Sequence, residues 1–137
     1  MSARSRAMED LARRALSGKG AHDGRGWRMR YHHVGIPTTS PRAGETYLPR
    51  YKAFCTDHES NPFGIQWMRF EPDCPLPDLV KTTPHVAFEV NDLGRALEGH
   101  EILIEPNSPS EGVAVAFVVV DGAPVEFLEF SDAQRHS

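Results

Sequence analysis

Cysteine is scarce in this chain. Its 137 residues include only Cys55 and Cys74, too few for a disulfide framework and at a spacing that fits no zinc-binding pattern. Reduced thiols in a cytoplasmic protein are the expectation. Long apolar runs are lacking too: the longest, Gly112 to Val120, reads as a buried strand, far short of the roughly 20 residues that cross a bilayer. No membrane association is expected. Nor is there an excess of positive charge. The net charge is -4, and because residues 1–30 are basic, the rest of the chain is more acidic than that total suggests. An acidic body argues against nucleic-acid binding, and a basic tail alone gives weak, salt-sensitive attraction at most.

What remains is ordinary globular composition, 39% hydrophobic and 25% charged, at a length that lets one domain bury its apolar side chains without covalent staples. Residues 1–29 stand apart as an N-terminal extension expected to be poorly ordered. Ala7 to Leu16 has partial helical spacing, and the glycine-rich stretch after it breaks any regular element. An arginine-rich segment of this kind also suits an organellar transit peptide. Glu9, Asp10 and the lack of an apolar core favour a simple extension, with Met29 opening the domain. Residues 132–137 read as a frayed tail.

The domain, residues 30–131, is strand-rich. In the first half (about 30–72) the strands predicted are Tyr31–Pro37, Tyr51–Thr56 and Phe63–Phe70, with Thr38 to Arg50 too rich in Pro and Gly for a long helix. Glu71 to Thr83 carries several prolines and reads as a linker. In the second half (about 84–131), His85–Val90 is a strand and Asn91-Asp92 caps a short helix over Leu93–Glu98. Glu101–Glu105 is a strand ended by Pro106. Val113–Val120 and Pro124–Phe130 form a hairpin about Asp121-Gly122. The order in this half is β-α-β-β-β.

The halves repeat one another. His33-Val34-Gly35-Ile36 returns as His85-Val86-Ala87-Phe88, and Ile65-Gln66-Trp67-Met68-Arg69-Phe70 returns as Val125-Glu126-Phe127-Leu128-Glu129-Phe130. Two halves related by pseudo-symmetry would gather His33, Gln66, His85 and Glu126 about one centre. Two imidazoles with oxygen donors suit a divalent transition metal. Strand alternation supports this: each histidine lies on the face opposite its strand's aliphatic row, beside a small residue, Gly35 or Ala87. Glu126 shares a face with Leu128 and Phe130, so it points into an apolar interior. A carboxylate there needs compensation, and a cation supplies it.

This pattern resembles the vicinal oxygen chelate superfamily, which includes glyoxalase I, methylmalonyl-CoA epimerase, extradiol dioxygenases and the bleomycin and fosfomycin resistance proteins. The resemblance rests on the His33 and His85 motifs and on Asp121-Gly122-Ala123-Pro124-Val125-Glu126-Phe127-Leu128, and it spans about residues 30 to 131. It implies an α+β fold in which two βαβββ-type modules form a curved mixed sheet around a central cleft. It also implies one divalent metal ion (Zn, Ni, Mn, Fe or Co) held by His33, His85 and Glu126, with Gln66 at the position of a fourth ligand. The first module departs from the pattern. His33 to Gln66 is a shorter span than His85 to Glu126, so its helix, and one strand with it, are read as truncated. Gln66 in place of a glutamate removes the second carboxylate that two-base epimerisation would use.

Other polar residues have simpler readings. His32 projects opposite His33 and reads as packing or surface, unless a bulge lets the two trade places. His22, His58, His100 and His136 fall in loops or tails and have no partner in the pattern. Tyr51, Trp67, Arg69 and Glu89 are candidates for the pocket or its rim, although alternation sends Trp67 and Arg69 outward. Nothing adjacent to Cys55 identifies an activating base. The expected function is a metal-dependent, glyoxalase-like lyase or isomerase acting on a small carbonyl or hydroxy-carbonyl substrate, with Glu126 as ligand and proton carrier. The alternatives are an Fe(II)-dependent dioxygenase using the same three ligands and a non-catalytic small-molecule binding protein. A homodimer is expected under all three.

Overall fold

The computed structural model describes residues 27–131. The expected N-terminal helix, the C-terminal tail, His22 and His136 lie outside the described residues. Eight strands make one mixed sheet: β1 (Met29–Pro37), β2 (Thr46–Leu48), β3 (Ala53–Cys55), β4 (Ile65–Phe70), β5 (His85–Val90), β6 (Glu101–Ser110), β7 (Val113–Val120) and β8 (Ala123–Phe130). Two short helices, α1 (Asp78–Thr82) and α2 (Leu93–Leu97), and a 3-10 turn at His58–Ser60 complete the described structure. The spatial order is β2-β3-β4-β1-β5-β8-β7-β6. The sheet curls into a half-barrel around a cleft, so the α+β curved-sheet expectation holds.

Sequence repetition becomes spatial repetition. β1 pairs with β4 in parallel, β5 with β8 in parallel, and β1 with β5 antiparallel at the centre. Gly35 lies opposite Gln66 in one half, and Ala87 lies opposite Glu126 in the other. Between the halves, His33 faces Ala87, Val34 faces Val86, and Gly35 faces His85. The pseudo-two-fold axis therefore passes by Val34 and Val86.

The convex face of the second half holds the main core, with Val86, Phe88, Val90, Val118, Val125 and Phe127 packed under Leu93 and Ala96 of α2. The Asp92 side chain starts that helix by accepting from the Arg95 amide, the role an N-cap Asp fills. Trp27, Met29 and Tyr31 pack against the same cluster. Phe88 is 1% exposed, and burying a side chain of that size contributes about 1.5–3 kcal/mol. The first half has no helix between β1 and β2. Its outer face is covered by side chains instead: Arg42 stacks 3.7 Å over Trp67 and Arg69 stacks 4.1 Å over Phe54. All three remaining strands of that half are present, although β2 and β3 are each 3 residues long.

Two local expectations change. The proline-rich linker contains α1, whose Val80 is 1% exposed; Pro77 sets the extended entry and Asp78 to Thr82 make one closed turn. β6 does not stop at Pro106 but continues to Ser110 through several register shifts. It is an edge strand, where a missing N–H on the outer side breaks no ladder. The β7–β8 hairpin turns as expected, with φ of 49° at Asp121 and 84° at Gly122, the two positive values a type I′ turn needs.

Candidate metal centre

His33, His85 and Glu126 meet on the concave face of the sheet, each buried: 4%, 1% and 8% exposed. The strand register brings them together. His33 on β1 is offset from His85 on β5 by the two-fold pairing, and Glu126 on β8 stands beside Ala87, whose methyl leaves the carboxylate room. Their candidate ligand atoms all lie within 4.8 Å of one another. Glu126 Oε1 is 3.0 Å from His85 Nε2 and 3.2 Å from His33 Nε2.

Gly35 makes this packing possible. A Cβ at position 35 would sit 2.1 Å from Cε1 of His85. The space that a small residue was expected to leave beside the ring is occupied by the His85 ring of the other half. Phe117 packs against that ring, edge-on at 4.9 Å between centroids.

Burial pushes the Glu126 carboxyl up, but the two imidazoles beside it outweigh that and bring it down to about 2. It is a carboxylate at neutral pH. His33 Nδ1 lies 2.7 Å from His32 Nδ1, so one of these rings donates to the other. His32 is held down to about 4, first by burial and then by His33 and His58, and is therefore neutral. When the shared proton sits on His33, that ring turns a lone pair toward Glu126. When it sits on His32, the His33 Nε2–H faces the carboxylate out of line. His33 Nε2 has no hydrogen-bond partner despite its 3.2 Å approach, and neither does His85 Nδ1. Buried polar atoms are nearly always satisfied, and leaving one unpaired costs about 1–3 kcal/mol.

A small cation at the convergence point would give His33 Nε2 a partner; His85 Nδ1, on the ring edge away from Glu126, would stay outside its reach. Ligands about 2.0–2.2 Å from a common ion lie roughly 3 Å apart, which matches the two contacts of Glu126 with the imidazoles, 3.0 and 3.2 Å. The donor set, two imidazoles and a carboxylate, suits Zn or another first-row divalent metal. The residues present fit such an ion.

The triad opens onto a cavity of about 550 Å³, reached through His33 and Glu126. Gln66 lines this cavity, with Met68 beside it on the same face, at the register position equivalent to Glu126. Trp67 and Arg69 point away, and Glu45 clamps Arg69 at 2.7 and 3.0 Å. Glu89 pairs with Arg30 at 3.2 Å and takes no part in the cavity. Tyr51 does line it, and its hydroxyl donates to Asn107 of β6. With Arg50 donating to the Ser108 carbonyl at 2.7 Å, this contact ties the two edges of the curled sheet together across the cleft.

Two further histidines belong to this wall. The register between β1 and β5 shifts between Tyr31 and His33, which is a bulge. It leaves Tyr31 on the convex core and turns His32 into the cavity, correcting the outward placement expected for it. His58, expected to lie idle in a loop, stacks on His32 at 4.3 Å and approaches His33 at 5.6 Å. Its only sequence signal is the Asp57-His58-Glu59-Ser60 turn, in which Asp57 accepts from the Glu59 amide and presents the ring inward. Both cysteines are free and buried. Cys55 faces the cavity, but burial first, then Glu126 and Glu45, push its thiol up to about 12, so it is held as the neutral thiol at neutral pH.

No protein-family profile matches this chain, and no curated protein does. Among solved structures it is similar to a hypothetical protein from Bacillus halodurans C-125, with 18% identity, a TM-score of 0.54, and 76% of this chain and 96% of that one covered. At that identity the likeness speaks to the fold alone. Fold and site together define a curved half-barrel sheet with a buried His-His-Glu cluster able to hold a metal ion. No helix among the described residues is long and apolar enough to cross a membrane.

Proposed function

We propose that this chain is a metal-dependent enzyme of the vicinal oxygen chelate superfamily, glyoxalase-like in chemistry, acting on a small carbonyl or hydroxy-carbonyl substrate. The observation that carries this reading is the convergence of His33, His85 and Glu126 on one buried point, where His33 Nε2 has no hydrogen-bond partner. A divalent ion held there supplies Lewis acidity toward two neighbouring substrate oxygens and stabilises the oxyanion as charge develops.

The side chains divide the remaining work. His33 and His85 hold the site, and His32 fixes the His33 ring through the Nδ1 contact at 2.7 Å, as outer partners of ligating histidines do. Glu126 is the only carboxylate of the cluster and the group placed to accept a proton from a substrate carbon. Gln66, its counterpart by symmetry, offers a neutral oxygen and no base. Proton removal and return on one side of the substrate therefore suits this site better than two-base epimerisation. Tyr51 and Asn107 join across the cleft and line it.

Elemental analysis of protein purified without tag or chelator tests the reading, with His85→Ala, Glu126→Ala and His100→Ala beside the parent. About one equivalent of metal in the parent and in His100→Ala, lost in the other two, is the expected result. Equal metal content in all four proteins would refute it. The same two-histidine, one-carboxylate set is the facial triad of Fe(II) oxygenases, which makes a dioxygenase the second reading; oxygen uptake by Fe(II)-loaded protein with a catechol separates the two. A protein without metal even after reconstitution is instead a binding protein on this fold. A homodimer is part of the proposal, tested by light scattering, as is a reducing, cytoplasmic setting, which the two unpaired buried thiols support.

A further inference from the structure

Beyond the triad, the cavity wall is sharply divided. On β8, Glu126, Leu128 and Phe130 share the concave face, and the antiparallel register sets Phe117, Val115 and Val113 of β7 beside them in turn. These side chains all line the cavity. From Glu126 to Phe130 is four residues of strand, about 14 Å at 3.4 Å per residue. The result is an apolar strip two side chains wide that starts at the carboxylate and leads away from it. Val80 of α1 and Met68 of β4 add further apolar wall.

The charged residues lining the cavity are Glu59 and Glu126, and no Lys or Arg is among the described lining residues. Nearby cations are engaged elsewhere. Arg50 is held by the Ser108 carbonyl, Lys52 by Asp73, and Lys81 by the Cys74 carbonyl and Asp78. A phosphate or carboxylate carried along the strip would lose its hydration with no Lys or Arg beside the strip to replace it.

We propose that the ligand of this cavity is an uncharged molecule with an oxygen-bearing head at the triad and an apolar body lying on the β7–β8 strip, and that molecules with an anionic tail are rejected. The placement of the head rests on the metal-site reading above; the selection of the tail rests on the strip alone. A volume of about 550 Å³ falls within the range of small-molecule sites, about 300–1,000 Å³.

Two matched probe pairs test this by calorimetry. Zinc-loaded protein is titrated under argon with 4-tert-butylcatechol and with 3,4-dihydroxybenzoate, which carry the same oxygens and differ in the opposite end. Metal-free protein is titrated with 4-tert-butylphenol and 4-hydroxybenzoate. The tert-butyl member binds at least about 10-fold tighter in each pair, the difference that 1.4 kcal/mol makes. Val113→Lys, a change at the half-buried start of β7, narrows that ratio several-fold by supplying the missing cation. Equal or tighter binding of the benzoates, absence of binding by the tert-butyl probes, or an unchanged ratio in folded Val113→Lys each overturns the proposal. Failure of zinc to bind sinks the metal reading alone, because the phenol pair still decides the question in metal-free protein.

Discussion

Alanine at position 35 puts one methyl group where the His85 ring already lies. The added Cβ would stand 2.1 Å from Cε1 and 2.7 Å from both ring nitrogens, so ring or backbone must move by more than 1 Å to reach ordinary contact. The ring has little freedom to do so. It is 1% exposed, Phe117 packs edge-on against it at 4.9 Å, and its Nε2 is tied to Glu126 at 3.0 Å. Overpacking of this kind costs about 1–3 kcal/mol. Metal affinity falls more steeply, because displacing one ligand of three breaks the cluster; a loss of at least about 100-fold is expected, at the upper end of what weaker, outer-sphere changes produce. Gly94→Ala is the control. Its Cβ would meet only Asp92 Oδ1, at 3.7 Å in ordinary contact, and it lies in α2, where alanine is favoured over glycine by up to about 1 kcal/mol. Chemical denaturation and competition with a chromophoric chelator measure both quantities. Gly35→Ala with the parent's stability and metal affinity would refute the claim that this glycine exists to admit His85.

Further outcomes follow from the same geometry. Glu126 has a folded-state pKa of about 2 against an ordinary 4.5, so the metal-free protein holds that stabilisation above pH 4.5 and loses it as pH falls toward 2; Glu126→Gln flattens the stability profile across this window, read by urea denaturation at a series of pH values. Cys55, raised to about 12 and buried, resists iodoacetamide at pH 8 in the native state and is alkylated only on unfolding, as peptide mass mapping shows. Phe88→Ala, at the centre of the convex core, costs about 3–5 kcal/mol by denaturant titration. Tyr51→Phe removes the hydroxyl that reaches Asn107, costs about 0.5–1.5 kcal/mol, and speeds hydrogen exchange in β6 near Asn107 while leaving β5 unchanged.

How legible each part was depends on how local its cause is. The hairpin at Asp121-Gly122 is specified by two residues that tolerate positive φ, and β5, α2, β7 and β8 follow from short-range pattern. His33, His85 and Glu126 were readable because strand alternation and repetition constrain their faces together. α1 was hidden because a five-residue helix among prolines has no periodicity to detect. Pro106 predicts an end to β6 that the sheet does not show, because the edge position that makes proline harmless there is a property of the assembled sheet. His58 reaches the cavity through a turn whose direction depends on where β4 lies.

The bulge in β1 explains why the sequence pattern located the triad yet misplaced its neighbour. From His33 onward the pairing of β1 with β5 follows the two-fold, His33 to Ala87 through Gly35 to His85; before it, the pairing is displaced by one residue. A one-residue shift reverses the face of every side chain on its far side. Because it falls N-terminal to His33, it moves Tyr31 to the convex core and leaves the faces of His33 and Gly35 untouched. His32 is the residue without an opposite number, and it is turned toward the cleft to lie against His33, His58 and Phe130. In the second half the position before His85 is Pro84, which lies outside β5. The extra imidazole thus belongs to one half of a duplicated frame, and it breaks the symmetry of the site. His33 gains an outer partner at Nδ1, whereas His85 Nδ1 stays unpaired. Two histidines alike in sequence context are therefore held differently, and the ring fixed by His32 is the one that lines the cavity.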